Sequence, residues 1–146
     1  MHRIATAAIA LVWVASAAPA GARNDRLQFP IADALATTDA KAKVDPAIRL
    51  FWGPQKHAKP TKEFGTDTSN KKTNFFNKDD KTGCEWAFLS AVLQLQKRAR
   101  TLGANAVVNI ASLYKNETNS SETQYECSAG TFIGGVALRG DFVKLP

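Results

Sequence analysis

The chain has 146 residues, with 19 Lys and Arg against 13 Asp and Glu and a formal net charge of +6. This length suits one domain with a single hydrophobic core. The excess of positive charge favours anionic partners. Because the charges are scattered along the chain, simple solubility explains them as well, and nucleic acid is not a predicted partner.

The N-terminus has the layout of a cleavable secretory signal. A positively charged start precedes an apolar run that is shorter than the roughly 20 residues a membrane span needs. Small residues follow, with frames that fit cleavage after Ala20 or after Ala22. The sequence therefore predicts a signal peptide at residues 1 to 22 and one domain at residues 23 to 146. That domain would be periplasmic or secreted in a Gram-negative bacterium, with no membrane span left after cleavage.

The front half of this domain contains weak elements and one polar segment. The pattern predicts a short strand at 27 to 29, a short helix at 31 to 43 and a strand at 47 to 52. The next segment, about 53 to 82, is rich in Pro, Gly, Lys, Asn and Asp. It is typical of a long loop, with at most one short strand near 62 to 67.

The strongest element is a long helix that begins near Thr82. Thr82 and Glu85 fit a capping box, in which the two side chains bond each other's free backbone amides. Apolar residues then recur at helical spacing, widened by Trp86, Leu89 and Leu93. The stripe consists of Cys84, Phe88, Ala91, Val92, Leu95, Ala99 and Leu102. Gly103 stands where a helix C-terminus favours a left-handed residue. A phosphate-binding turn would instead lead into a helix N-terminus, so Gly103 is interpreted as a structural joint.

The last third of the chain predicts a strand at 106 to 114, a polar turn and two strands interrupted by glycines. The order of elements is typical of an α+β domain. We expect a single small, mainly antiparallel sheet packed on one long helix, plus the short N-terminal helix. Gly130, Gly134, Gly135 and Gly140 are expected to mark bulges and bends in a curved sheet.

Sites of catalysis, cofactor binding and metal binding are not predicted. The best match to a phosphate loop, residues 66 to 73, lacks both required glycines. His57 lies in a Pro-rich stretch with no sign of a packed partner. Cys84 and Cys127, without a nearby His, are too few ligands for a closed zinc site. We therefore expect a protein that is not an enzyme and has no cofactor.

The two cysteines are expected to pair, because an exported compartment is oxidising. Free thiols are the alternative. The other candidate feature is a mixture of aromatic and basic side chains, which suits an anionic polymer. It consists of Lys71, Lys72, Phe75, Phe76, Lys78 and Lys81. The alternative is that both aromatic rings lie under the loop and the lysines are merely solvated.

The stretch "QKRARTLGANAVVNI", followed by "YECSAGTFIGGVALRG", resembles the helix-Gly-strand core of the YbjQ-like superfamily. It is more closely similar to the RcsF family of outer-membrane lipoproteins, which report envelope stress. It also resembles small exported proteobacterial proteins that carry the label "excinuclease ATPase subunit". The label is mistaken for this chain, because a phosphate loop and zinc-finger cysteines are missing from the sequence. The resemblance covers about residues 83 to 145.

The resemblance implies a small α+β domain in which Cys84 is bonded to Cys127. The chain lacks the second disulfide and the lipid-attachment cysteine of RcsF-like proteins, so membrane anchoring and surface sensing are not implied. The predicted function is non-enzymatic binding of a protein or anionic envelope component, in a role connected with envelope stress. The alternative is a secreted small enzyme or ligand carrier, with a pocket between the long helix and residues 53 to 83. An oligomer is compatible with the resemblance.

Overall fold

The computed structural model describes residues 23 to 146. The predicted signal peptide, residues 1 to 22, lies outside the described residues. The elements in chain order are β1 (Asp25–Pro30), α1 (Ile31–Leu35), α2 (Thr38–Lys43), β2 (Arg49–Trp52), β3 (Lys62–Asn74), α3 (Asp80–Leu102), β4 (Ala106–Tyr114), β5 (Glu117–Asn119), β6 (Gln124–Ala129) and β7 (Ile133–Lys144). The expected N-terminal helix is two short helices, α1 and α2, because Thr37 caps a new helix through its side chain.

One mixed sheet of seven strands is built around β7. β3 runs antiparallel along one side of β7, while β6 and then β4 share the other side in succession. β1 extends the sheet from β6, β2 lies parallel to β4, and β5 forms a hairpin with β4. The α+β class is confirmed. The expected small, mainly antiparallel sheet on one long helix is confirmed only in part, because the sheet has seven strands, curls and includes one parallel pair.

The segment from 53 to 82 is not one long loop, because it contains the thirteen residues of β3. β3 pairs only with β7, so it forms an edge of the sheet. Charged side chains are common on edge strands, where they discourage pairing with other chains. Ser69, Lys71 and Thr73 lie on the face toward α3, and the residues between them are exposed on the other face. The polar composition that indicates a loop is here the composition of a solvated edge strand.

The main helix, α3, begins earlier than the capping box predicts. Asp79 is the N-cap, and its Oδ1 accepts a hydrogen bond from the backbone N–H of Thr82 at 2.7 Å. A carboxylate in this position accepts a hydrogen bond from one of the free backbone amides, and its negative charge interacts favourably with the positive end of the helix dipole. At the other end Gly103 has a left-handed φ of 81°, and its N–H donates to the carbonyls of Ala99 and Arg100. The helix therefore runs between an acidic cap and a glycine cap.

The core lies between α3 and the concave face of the sheet. Phe88 is fully buried, with its ring 5.4 Å from that of Trp52 and 4.3 Å from that of Tyr125. The predicted disulfide is confirmed: Cys84, in the first turns of α3, is bonded to Cys127 of β6. Both cysteines are buried, so the bond ties the helix to the sheet inside the core.

Two glycines of β7 serve close packing. A side chain at Gly134 would overlap the ring of Phe75, and one at Gly140 would overlap Val107. The irregular register of β4 lies opposite Gly140, between Val108 and Ala111. The expected bulge is therefore on the strand beside the glycine, and the glycine itself lets the two strands approach.

Gln96 is a buried polar residue of α3 that holds the turn before β2. Its Nε2 donates to the carbonyls of Asp45 and Ile48, both at 3.0 Å, and its Oε1 accepts from the N–H of Asp45 at 2.9 Å. Gln96→Leu leaves these backbone groups without their partner, which is costly for buried groups. We expect it to lower the free energy of unfolding by about 2 kcal/mol, measured by urea denaturation.

The matched control is Gln94→Leu, because Gln94 is exposed on the same helix. Surface substitutions of this kind usually change the free energy of unfolding by less than about 0.5 kcal/mol. Equal losses for the two variants would contradict a role for the Gln96 hydrogen bonds.

Candidate functional site

The six residues of the sequence-predicted surface do not form one surface. Phe75 is only 2% exposed, and its ring fills the space beside Gly83 and Gly134. Lys71 and Lys72 are successive residues of β3 and therefore lie on opposite faces of the sheet. Phe75 belongs to the core, and the two lysines cannot act on the same ligand from one face.

Lys81 is held by an ion pair, with its Nζ 2.8 Å from Oδ2 of Asp33 on α1. Phe76 and Lys78 remain from the predicted set, and both lie in the connection between β3 and α3. Phe76 is 56% exposed, in contrast to its buried neighbour Phe75. Of the two predicted rings, only that of Phe76 is therefore accessible to a partner.

Phe76 is part of a larger exposed cluster, which we call the apolar patch: Phe76, Lys78, Trp86, Phe132 and Ile133. The rings of Phe76 and Phe132 stack with their centroids 6.1 Å apart. Phe132, in the turn before β7, is 60% exposed, and Ile133, the first residue of β7, is 62% exposed. The four apolar members are the large hydrophobic side chains that are exposed among residues 23 to 146. They come from three separate parts of the chain: Phe132 stacks on Phe76, Ile133 follows Phe132, and Trp86 on α3 contacts Lys78.

Backbone hydrogen bonds bring the two turns of the patch together. The N–H of Phe75 donates to the carbonyl of Phe132 at 2.7 Å, which joins the end of β3 to the turn before β7. Within that turn, the N–H of Gly130 donates to the carbonyl of Ile133 at 3.0 Å. Because the backbone is anchored in this way, Phe132 and Ile133 project from a braced turn.

Trp86 joins the patch through Lys78. The Nζ of Lys78 lies 4.9 Å from the centroid of the Trp86 ring and donates to the carbonyl of Asn74 at 3.0 Å. Trp86 is 49% exposed and does not belong to the buried stripe of α3 that the periodicity predicts. A cation over an indole ring is favourable and keeps both groups in place. The patch is thus apolar with one cation.

Sequence reasoning finds Phe76 and misses the other three apolar residues. It assigns Trp86 to the buried helix stripe, and it places Phe132 and Ile133 in a strand without predicting that their side chains are exposed. Ile133 is indeed the first residue of β7, whereas Phe132 lies in the turn before it. The signal that could find the pair is the segment "GTFIGG", in which two large apolar residues stand between glycines. Glycines on both sides indicate a turn, where large apolar side chains have few neighbours to cover them.

A cleft of about 400 Å³ opens on the sheet face that is turned away from α3. It forms where β6 and β4 diverge along β7. We call it the cationic cleft, because its charged lining is Arg23, Arg26, Lys72, Lys115 and Glu126. Ile133 also lines it, so the cleft and the apolar patch are continuous.

The Glu126 carboxylate is the buried anion of this cleft. It is 8% exposed and accepts hydrogen bonds from Arg26 at 3.0 Å and from Asn119 at 2.8 Å. Burial acts to raise the pKa of Glu126, but these hydrogen bonds outweigh burial and hold the pKa below its usual value. Arg26 also pairs with Glu117 at 3.2 Å. Glu126 and Arg26 therefore stay ionised and satisfy each other's charge.

Lys72 and Lys115 are the uncommitted cations of the cleft. Neither has a carboxylate within ion-pairing distance in the part of the chain that the structure describes. Lys72 lies opposite Gly135 in the register of β3 and β7, and a side chain at Gly135 would crowd its Cγ. Lys115, in the hairpin between β4 and β5, has its Nζ 5.4 Å from the Tyr114 ring centroid. The glycine leaves room for the lysine stem beside the cleft.

A second cleft, of about 300 Å³, has His57 and Asp141 in its lining. The His57 ring packs edge-on against Phe51, with their centroids 5.5 Å apart. Both oxygens of Asp141 accept hydrogen bonds, from Thr66 at 2.5 Å and from Asn109 at 2.8 Å. Neither cleft is lined by a residue of α3, so both lie away from the place where the ligand-carrier alternative puts its pocket.

Within residues 23 to 146, no group of three or more His, Cys, Asp and Glu side chains is arranged to hold a metal ion. No helix in the same range is both long enough and apolar enough to cross a membrane. Comparison with known proteins gave no match: no family model fits the chain, and neither a curated protein nor a solved structure is significantly similar to it. The resemblance to the YbjQ-like and RcsF families stays a prediction.

Proposed function

We propose that the protein is a non-enzymatic component of the periplasm that binds another protein or an envelope component through the apolar patch. A buried disulfide fits a protein of an oxidising compartment. The sequence features of an export signal and the resemblance to the RcsF family support the periplasm of a Gram-negative bacterium and a role connected with envelope stress.

The apolar patch is the observation that carries this proposal. Soluble domains rarely expose large apolar side chains next to one another, and such clusters mark interaction sites. The patch has two stacked phenylalanine rings on braced turns, plus a tryptophan with a lysine over it. Aromatic residues of this kind dominate the binding energy of protein interfaces, since they bury a large area with few rotatable bonds.

Site-specific photocrosslinking in the native envelope tests the proposal. A photoreactive phenylalanine at position 132 is expected to give discrete adducts, because Phe132 projects from the centre of the patch. The same group at Thr101, exposed near the far end of α3, is the control and is expected to give none. With the probe at 132, Phe76→Ser is expected to reduce the adducts at least tenfold, because it removes the stacked neighbour.

The test requires that Phe76→Ser weakens binding without affecting the stability of the fold. Phe76 is more than half exposed, so we expect Phe76→Ser to change the free energy of unfolding by less than about 0.5 kcal/mol. Equal adduct yields at positions 132 and 101, or adducts that persist in the Phe76→Ser protein, would contradict the proposal.

A further inference from the structure

We propose that the cationic cleft binds the anionic head group of a single-chain amphiphile, whose apolar chain leaves over Ile133 onto the apolar patch. This inference goes beyond the proposed function, because it names a small ligand and its site. It does not depend on a partner protein.

The charge balance of the cleft supports an anionic head group. Its lining has four cationic side chains and one carboxylate. Arg23 is held by Asp25 and Asp80, and Arg26 is held by Glu117 and Glu126. Lys72 and Lys115 therefore carry the positive charge that is left over, and they enter the cleft from two different strand pairs. A phosphate monoester between them, which carries close to two negative charges at neutral pH, would neutralise both, and a carboxylate would neutralise one.

Arg26 and Glu126 brace the walls of the cleft. Arg26 lies 4.7 Å from the ring centroid of Tyr114 and bonds Glu126 on β6, which ties β1 to β6 and to the end of β4. The N–H of Glu126 donates to Oγ of Ser112 at 2.8 Å, which joins β6 to β4 across the gap. These hydrogen bonds and ion pairs hold the walls of the cleft in place. Because their donors and acceptors are already paired with one another, an incoming anion does not have to break them.

The size and polarity of the cleft favour an amphiphile over a bare ion. A volume of about 400 Å³ lies within the range of small-molecule sites and far exceeds that of phosphate alone. Leu113, Ile133 and Ala137 supply apolar lining beside the lysines. Ile133 is also 62% exposed and adjoins Phe132, which stacks on Phe76. An alkyl chain that follows this path would cover the apolar patch and remove it from water.

Calorimetric titration with dodecyl phosphate below its critical micelle concentration tests the inference. We expect the wild-type protein to bind dodecyl phosphate at least tenfold more tightly than either dodecyl maltoside or inorganic phosphate. The maltoside has the same chain without the charge, and inorganic phosphate has the charge without the chain. Lys72→Ala/Lys115→Ala is expected to weaken the binding of dodecyl phosphate at least tenfold, because two charge-assisted contacts are lost.

The matched control is Lys41→Ala/Lys97→Ala, which removes the same charge from exposed positions on α2 and α3. We expect its affinity for dodecyl phosphate to stay within twofold of the wild type. Ile133→Ser is expected to weaken dodecyl phosphate binding and to leave the weak binding of inorganic phosphate unchanged.

Three results would overturn the inference. The first is equal binding of dodecyl maltoside and dodecyl phosphate, which would mean that the apolar patch alone takes the chain. The second is unchanged affinity in Lys72→Ala/Lys115→Ala. The third is binding only to phosphatidylglycerol vesicles and not to monomeric amphiphile, which would assign the surface to a bilayer. The crosslinking experiment on the apolar patch reads out a different event, so each proposal can fail without the other.

Discussion

Removal of the disulfide in Cys84→Ala/Cys127→Ala is expected to lower the free energy of unfolding by about 4 kcal/mol. The two cysteines are 43 positions apart in sequence, so the bond restricts a long loop of the unfolded chain. The loop contains α3, its connection to β4 and the β4–β5 hairpin. A loss of this size is a large part of the stability of a typical small domain.

Urea denaturation of the wild-type protein, with and without reductant, measures this effect. The reduced wild-type protein is expected to unfold near the midpoint of the double variant, and reductant is expected to leave the double variant unchanged. The reduced wild-type protein lacks the cross-link but keeps both sulfur atoms, so its comparison with the double variant separates the cross-link from the packing of sulfur. Intact mass after alkylation gives an independent check: two alkylated thiols in the oxidised protein, or a wild type insensitive to reductant, would contradict the prediction.

Phe88→Ala is expected to lower the free energy of unfolding by about 3 to 5 kcal/mol. Phe88 is fully buried and touches the rings of both Trp52 and Tyr125. Its loss opens a cavity where α3 meets strands from two parts of the sheet, and neither neighbouring ring can fill the space without leaving its own contacts. The loss of stability therefore has two parts: the apolar surface of the Phe88 ring is no longer buried, and a cavity remains in its place.

The matched control for Phe88→Ala is Phe132→Ala, the same chemical change at a residue that is 60% exposed. We expect Phe132→Ala to lower the free energy of unfolding by less than about 0.5 kcal/mol, since the Phe132 ring is already largely exposed to water. Chemical denaturation of both variants compares them directly. A loss at Phe132 as large as that at Phe88 would mean that the apolar patch is structural, and it would weaken the case for a binding surface.

Local signals predicted the elements that depend on neighbouring residues. The apolar spacing of α3 and the glycine at its end are properties of one short stretch, and the helix ends at Leu102 with Gly103 as its cap. β4 (Ala106–Tyr114) has the predicted bounds, because a mainly apolar run, here broken only by Asn109 and Ser112, is typical of a buried strand. The predicted start of α3 at Thr82 is wrong by three residues, because in the folded chain Asp79 is the N-cap and accepts the hydrogen bond from the N–H of Thr82.

β3 is an element that the local sequence does not predict at its full length. Its sequence, "KEFGTDTSNKKTN", has the composition of a loop, and it becomes a strand because β7 offers a long partner for it. Pairing with a distant strand supplies the backbone hydrogen bonds that the sequence of β3 does not itself indicate. For the same reason the parallel pair of β2 and β4 could not be read from either strand alone.

The sequence by itself determined the class of the domain, its main helix with the joint at Gly103, and the pair of cysteines available for a disulfide. Only the tertiary structure decided that Phe75 is buried while Phe76 is exposed. The two rings are chemically identical neighbours, and what separates them is the space left by Gly83 and Gly134 from other parts of the chain. The apolar patch and the cationic cleft arise in the same way, because each is formed by residues that are far apart in sequence and are brought together by strand pairing.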